Sequence, residues 1–419
     1  MTRVLLNPWG SLGDLHPFLA VGLALKARGV EVSVATIRDY EQTVREQGFD
    51  FFPVGPHFTP DHDLINDAFR HPKTGTERMI GEMLVPGLAA SYEEIVDQVA
   101  AHDVVVTHPV GLAAMISSEV CAKPWVATAL APAAFFSRYE PPLMPQRPLL
   151  SRFFRLSPVI GGLLRRALKL RSRPWSSEVD RFRLSLGLHA GSSRILIEAH
   201  SPHLNLAMFD EVIGRHQADW PHRTVQTGAC LYGNDRKLSA EQQGRLDKFL
   251  NLDQPPVIVT LGSSVVHCPG DFFSHWLKVL ESLNLRGLFI SGKNKVGCGT
   301  TDERRFMQID YAPYNRVFGA AKAVVSHGGI GTLSQVLRAG KPMLVVPFAH
   351  DQPDNADRIQ KLGMGLALPI EKFTVSRAGR FLKRLISEHQ FAECATNLMP
   401  HLVADGAVRA ANAVVSLTI

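Results

Sequence analysis

Ser326-His327-Gly328-Gly329-Ile330-Gly331-Thr332 is the stretch that decides the fold of this chain. The apolar run ahead of it, 323–325, has the composition of a buried strand, and the sequence behind it takes up a helical pattern. Glycines between a strand and a helix let the main chain approach a ligand closely. The helix beginning near Thr332 adds unpaired N–H groups and the positive end of its dipole. Such a turn seats a diphosphate; taken alone, it also fits a strand-to-helix link with no ligand. No Gly-Lys-Ser/Thr follows and the glycines are not spaced Gly-x-Gly-x-x-Gly, which removes the main support for ATPase or nicotinamide chemistry. Downstream, Gly340-Lys341-Pro342-Met343-Leu344-Val345-Val346-Pro347 reads as a second buried strand, with His350-Asp351-Gln352 in the loop after it. Two strand ends then present polar groups to one crevice.

Working outward, the same strand-loop-helix unit recurs. Strands are predicted at 4–7, 30–36, 51–54, 104–107 and 125–129, with helices at 17–27 and 112–121. A second series starts at 255–262 and continues through 287–291, 323–326 and 343–346. Repeats of this kind predict an α/β protein with two doubly wound parallel sheets. The segment 214–254 between the series is polar and reads as strandless. The predicted division is an N-terminal domain at 1–220, a linker region at 221–254, a C-terminal domain at 255–390, and a C-terminal helix at 391–419 packing back on the first domain. Ligands of open parallel sheets bind outside the carboxyl ends of the strands, so two such domains facing each other would form a deep cleft.

The chain has 419 residues, 45% of them hydrophobic and 20% charged, a globular composition too long for one ordinary core. Its net charge of +6 is moderate, and no nucleic-acid motif accompanies it. An anionic small ligand or a membrane surface accounts for the excess equally well. Cys121, Cys230, Cys268, Cys298 and Cys394 lack the paired spacing of a metal site or a disulfide framework. No apolar run approaches a membrane span, and the N-terminus enters its first strand without a leader, which predicts a cytoplasmic protein.

A second loop carries candidate chemistry: Gly10-Ser11-Leu12-Gly13-Asp14-Leu15-His16-Pro17, with Pro17 suited to a first helical turn. Either Asp14 or His16 could take a proton from a hydroxyl. The helix terminus favours the charged carboxylate, so Asp14 serves when proton transfer is late. His16, with an ordinary pKa near 6.5, suits neutral pH. Asp14 as a helix cap is the competing reading.

Together these motifs resemble the inverting nucleotide-sugar glycosyltransferases of family 1, with the GT-B architecture, over nearly the whole chain. His327 to Thr332 with Gly340, Pro342, Pro347 and Asp351-Gln352 looks like their donor signature, and Gly13-Asp14-Leu15-His16-Pro17 is similar to their acceptor-side loop. The Gly-Asp-x-His-Pro-Phe form and the run from Ala349 to Ala356 look most like bacterial rhamnosyltransferases of the rhamnolipid type and their sterol or flavonoid glucosyltransferase relatives. The resemblance implies an acceptor-binding first domain and a donor-binding second domain. It selects Asp14 as the base, with His108 pairing with it or lining the acceptor pocket. His327, Gly328, Gly329, Gly331 and Thr332 would hold the diphosphate, with Ser263 and Ser264 nearby. Asp351 and Gln352 would bind the sugar, and Tyr311 would stack on the base. Gln335 stands where many members have a glutamate that binds the ribose, which makes a deoxythymidine donor more attractive than strict uridine selection. The implied reaction transfers glucose or rhamnose from UDP-glucose or dTDP-rhamnose, as co-substrate, to a lipid, sterol or phenolic hydroxyl, with no metal or other cofactor. An epimerase or hydrolase of the same fold, or a noncatalytic nucleotide-sugar-binding subunit, are the rival readings.

Trp9, Phe135, Phe136, Tyr139 and Met144 are candidates to line an apolar acceptor pocket. Residues 151–173 hold seven basic residues and no acid among leucines and phenylalanines. They read either as a peripheral membrane element or as a helical lid over that pocket.

Overall fold

The predicted apolar runs become strands of two all-parallel sheets. In the computed structural model, which describes residues 1–55, 74–143, 148–190, 195, 197–233, 238–266, 269–297 and 302–418, the first sheet holds seven strands. These are β1 (Arg3–Asn7), β2 (Glu31–Thr36), β3 (Asp50–Pro53), β4 (Val104–Thr107), β5 (Trp125–Ala129), β6 (Leu204–Ala207) and β7 (Thr224–Gln226). Their order is β3-β2-β1-β4-β5-β6-β7. The inner strands β4 and β5 are buried along their whole length, as parallel strands covered on both faces must be. The helices of this unit include α1 (Leu12–Lys26), α2 (Leu88–Ala101), α3 (Leu112–Val120), α4 (Pro148–Phe154), α5 (Pro158–Arg171) and α6 (Arg173–Ser185). Leu5, Val105 and Trp125 from the sheet pack with Ile95 and Val99 of α2 and Met115 of α3.

The second sheet runs β10-β9-β8-β11-β12-β13, from β8 (Val257–Thr260), β9 (Gly287–Ile290), β10 (Phe306–Ile309), β11 (Ala323–Ser326), β12 (Met343–Val345) and β13 (Gly365–Ala367). Its helices include α7 (Ala240–Leu250), α8 (Phe272–Ser282), α9 (Ile330–Arg338), α10 (Gln352–Lys361), α11 (Val375–Ser387) and α12 (Gln390–Leu398). In α11 the apolar positions fall on one face, burying Ala378, Leu382 and Leu385 against Trp276 and Val279 of α8. The described residues up to Tyr232 form one unit together with Val403–Ile419, and Gly233–Leu402 form the other. On its return to the first unit, the backbone N–H of Val403 donates to Asp210 Oδ1 at 2.7 Å. The last helix, α13 (Gly406–Val415), then lies along α1, where Arg28 donates to Asn412 Oδ1 at 2.7 Å.

Two local readings are corrected. The segment read as strandless contributes β7, a three-residue edge strand. Thr-Val-Gln is too short and polar to show strand periodicity, and it is held by pairing with β6. The helix expected from residue 17 starts at Leu12 instead, so Asp14 and His16 lie inside its first two turns and Pro17 is interior. Ser11 and Asp14 form a capping box there. That reciprocal pairing satisfies the first N–H groups of a helix and sets its start.

Candidate active site

In a doubly wound sheet the loops that open to a ligand follow the strands flanking the point where strand order reverses. In the first sheet those strands are β1 and β4, and the sequence places Asp14 just beyond one and His108 just beyond the other. Asn7 and Thr107, the last residues of the two strands, are tied by a Thr107 hydroxyl donating to Asn7 Oδ1 at 3.1 Å, while the Asn7 amide reaches Ala35 O at 2.9 Å. This buried polar bridge fixes the strand ends that carry both residues.

The two readings of Asp14 coexist in one side chain. Its Oδ2 accepts from the backbone N–H of Ser11 at 2.7 Å and from the Ser11 hydroxyl at 3.1 Å. Its Oδ1 lies 3.4 Å from His108 Nε2. Gly10, at φ +120°, lies so close that a Cβ there would fall 2.4 Å from Asp14 Oδ2, so only glycine admits the carboxylate. His108 Nδ1 faces the backbone N–H of Val110 at 3.4 Å. It therefore acts as acceptor, which leaves the ring proton on Nε2, toward Asp14. The Asp14 carboxylate is thus oriented from both sides.

His16 loses the basicity that recommended it. Burial pushes its pKa from 6.5 down to about 4, and its ring stacks on Tyr232 with centroids 4.9 Å apart. Tyr40, which lies in no recognisable motif, donates its hydroxyl to Gly10 O at 3.1 Å. Burial, with the nearby Asp14 charge, raises the Tyr40 pKa and keeps it a neutral donor.

The proposed apolar pocket does not hold as a set. Phe135 is a core residue, stacked on Trp220 at 4.2 Å and packed with Phe209. Trp9 is buried. Phe136, half-buried and in the left-handed conformation at φ 46°, and Tyr139, exposed beneath the Arg138 guanidinium, remain nearer the surface. Met144 lies outside the described residues.

In the second sheet the reversal falls between β8 and β11. Gly262 and Ser263 follow β8, and His327 follows β11. The helix after the glycine turn begins at Ile330, with Gly329 as its N-cap and no side-chain bond to the cap. Gly331 and Thr332 therefore lie in the first turn, whose N–H groups point out of the helix without an intrahelical partner. Gly328 sits at φ +88°, and a Cβ there would fall 2.5 Å from Val345 Cγ1. The left-handed turn is thus both required by geometry and closed to other residues. His327 is packed between two glycines: a Cβ on Gly262 would fall 2.5 Å from its Cε1, and one on Gly329 would fall 2.5 Å from its Nε2. Its Nδ1 is buried with no hydrogen-bond partner. A neutral donor or acceptor left so costs about 1–3 kcal/mol.

Burial pushes the His327 pKa to about 4, so the ring offers a single N–H and no cationic charge at neutral pH. In the unfolded chain the same histidine titrates near its ordinary value of about 6.5. Between those pH values the unfolded state binds more protons, so stability rises with pH, by at most about 1.4 kcal/mol per pH unit for this residue. The melting temperature is expected to fall as pH drops from 6.5 toward 4, and His327→Gln should flatten that slope.

The downstream loop is arranged differently from the sequence expectation. Gln352 is buried, and its Oε1 accepts from the N–H groups of Phe348 at 2.8 Å and Ala349 at 3.2 Å. Its carbonyl braces the loop. Asp351 sits at the N-cap position of α10 and accepts from Asn355 at 2.8 Å. Asn355, fully buried, also donates to Gly328 O at 2.9 Å. One amide thus ties the glycine turn to the Asp351 loop; its only sequence signal is its place in the run after Gln352. Asn355→Ala should destabilise the second unit by about 1–3 kcal/mol and weaken nucleotide binding, both measurable by thermal melting with and without dTDP. Gln335 is half-buried on α9, and Tyr311 is half-buried after β10. Beside it, Tyr314 shares a hydrogen bond with Thr260 at 2.9 Å. Ser263 is half-buried; Ser264 lies in the short helix Gly262–Val265, with its side chain outside the described set.

Two parallel-sheet units, each with polar residues gathered at its reversal point, define a GT-B protein. The solved glycosyltransferase VinC in complex with DTDP superposes with a TM-score of 0.68 over 99% of both chains, at 18% identity, a likeness of fold. Residues 303–412 match the family model of the Erythromycin biosynthesis protein CIII-like, C-terminal domain. The O-mycaminosyltylonolide 6-deoxyallosyltransferase of Streptomyces fradiae is 26% identical over 371 residues, covering 86% of this chain and 84% of the relative. The sterol 3-beta-glucosyltransferase UGT80A2 of Arabidopsis thaliana is 25% identical over 390 residues, covering 88% of this chain and 58% of the relative. The fold is GT-B, residues 303–412 are similar to an EryCIII-like C-terminal domain, and the homologues matched over most of the chain are family 1 glycosyltransferases.

Proposed function

We propose that this protein is an inverting hexosyltransferase that moves glucose or rhamnose from a UDP- or dTDP-sugar to a hydroxyl of a small hydrophobic acceptor. The observation that supports the reading is an uncapped helix start beside a buried histidine whose Nδ1 lacks a partner. A donor diphosphate would supply acceptors for both. The acceptors in the relatives' names, O-mycaminosyltylonolide and a sterol, are small organic molecules, which supports an organic acceptor. Gln335 in place of glutamate favours the deoxythymidine donor.

In the proposed displacement the acceptor oxygen attacks C1 of the sugar, the bond from C1 to the diphosphate breaks, and the nucleoside diphosphate leaves with the electron pair. The acceptor proton passes to Asp14 Oδ1, the oxygen that Ser11 leaves unengaged, while His108 holds the carboxylate in place. Charge growing on the leaving group is met by the first-turn N–H groups of α9 and the neutral N–H of His327, fixed dipoles that need no reorganisation. Turnover should accordingly survive chelator, and the product should have the opposite anomeric configuration to the donor. Proton coupling at the anomeric carbon, read by NMR on product made in chelator, tests both. Retention of configuration, or loss of turnover that magnesium restores, would contradict the mechanism.

A further inference from the structure

The helical segment from α4 through α5 presents an unpartnered apolar surface. Phe153, Leu156, Val159, Leu163 and Leu170 are 49%, 72%, 78%, 53% and 61% exposed. They make up five of the twelve large apolar side chains that the described residues expose. Val159, Leu163, Arg166 and Leu170 recur at helical spacing along one stripe of α5. The opposite stripe is seated in the unit: Gly161 and Leu164 are buried, and a Cβ on Gly161 would fall 2.0 Å from Arg138 O. The apolar stripe therefore faces outward because close packing fixes the inner one.

Arg155 donates to Pro141 O at 2.8 Å, and the other six cations of this segment divide into two sets. Arg165 faces Asp219 at 4.0 Å, Arg171 pairs with Glu77 at 2.6 Å, and Lys169 pairs with Glu198. Those charges are neutralised within the unit. Arg152, Arg166 and Arg173 are exposed, and no carboxylate among the described residues pairs with them. Exposed leucines and valine interleaved with unpaired arginines, with no acid between 151 and 173, match an anionic lipid surface: the apolar side chains enter the acyl boundary while the guanidinium groups meet phosphates. A protein partner would need only a matching apolar face and would leave the three charges unexplained.

We propose that the outer face of α4 and α5 docks this protein peripherally on an anionic membrane. No helix among the described residues is long and apolar enough to cross a membrane, so the attachment is interfacial. The inference concerns a surface, and its test does not depend on the transferase reading. Full-length protein is mixed with vesicles of phosphatidylcholine alone, or of equal parts phosphatidylcholine and phosphatidylglycerol, and sedimented. Binding is expected only to the anionic vesicles and should weaken as salt rises. Val159→Asp with Leu163→Asp should reduce partitioning by roughly tenfold or more, and Arg166→Glu should reduce it without removing any apolar area. Circular dichroism and thermal melting of each variant confirm folding, since all three positions are exposed. Equal binding by the variants, absence of binding to anionic vesicles, or binding indifferent to lipid charge would overturn the proposal. So would a change confined to acceptor KM, which would assign the face to a lid, or loss of a dimer, which would assign it to a second copy.

Discussion

Asp14→Asn is expected to lower kcat by about 10²- to 10⁴-fold, the usual contribution of a general base, while leaving nucleotide affinity unchanged. Asparagine keeps an oxygen to accept from Ser11, so the capping box and the helix start survive. Asp14→Ala should lose the same activity and in addition about 1 kcal/mol of stability, because its cap partner is gone. The pair of variants separates helix capping from the proposed role as base in one carboxylate, bonded to Ser11 through Oδ2 and facing His108 through Oδ1. Release of nucleoside diphosphate measures turnover, and titration with dTDP measures binding. A cap without chemical work would show the stability loss in Asp14→Ala and near-normal turnover in Asp14→Asn.

His327→Ala is expected to have the second largest effect, and a different one. In the proposed mechanism it removes a hydrogen bond to a charged diphosphate, worth about 1.5–3 kcal/mol, so kcat/KM should fall by roughly 10- to 100-fold. Because the seat binds the leaving group before and during the reaction, dTDP affinity should fall with it. The contrast with Asp14→Asn is the informative part: one variant binds nucleotide and does not turn over, and the other binds it poorly. His327 in the ligand-free fold carries a buried Nδ1 with no partner. Removing the ring therefore deletes an uncompensated polar atom as well as a packed side chain, and the net stability change should be small. Unchanged dTDP affinity in His327→Ala would exclude the histidine from the seat.

The inner strands were legible because buried parallel strands are nearly continuous apolar runs, as in Val104–Thr107 and Val257–Thr260, while the short β6, β7, β10 and β13 were not. The doubly wound class followed from their alternation with helices. What escaped the sequence depended on geometry that crosses it. Pro17 suggested a helix start, but the reciprocal bond between Ser11 and Asp14 places it at Leu12. Phe135 looked like a pocket residue and is core, because Trp220 arrives against it from far along the chain. The resemblance implies that Gln352 binds the sugar, and the sequence gives no sign that its carbonyl accepts from the backbone of its own loop. His16 and His327 carry the ordinary pKa of histidine on paper, and only burial lowers both to about 4. The glycine turn was legible as a strand-to-helix link, whereas the packing of His327 between Gly262 and Gly329 joins distant parts of the chain and was not.

The central claim is transfer of a sugar from a nucleotide donor to an organic hydroxyl. The direct measurement incubates the full chain with UDP-glucose or dTDP-rhamnose in turn, together with a phenolic, a sterol or a hydroxy-fatty-acid acceptor, and quantifies nucleoside diphosphate and glycoside in the same reaction. The account predicts that the two products appear in equal amounts, only when an acceptor is present, and with the deoxythymidine donor preferred. Nucleoside diphosphate released with free sugar and no glycoside across the acceptors would make the protein a hydrolase and contradict it.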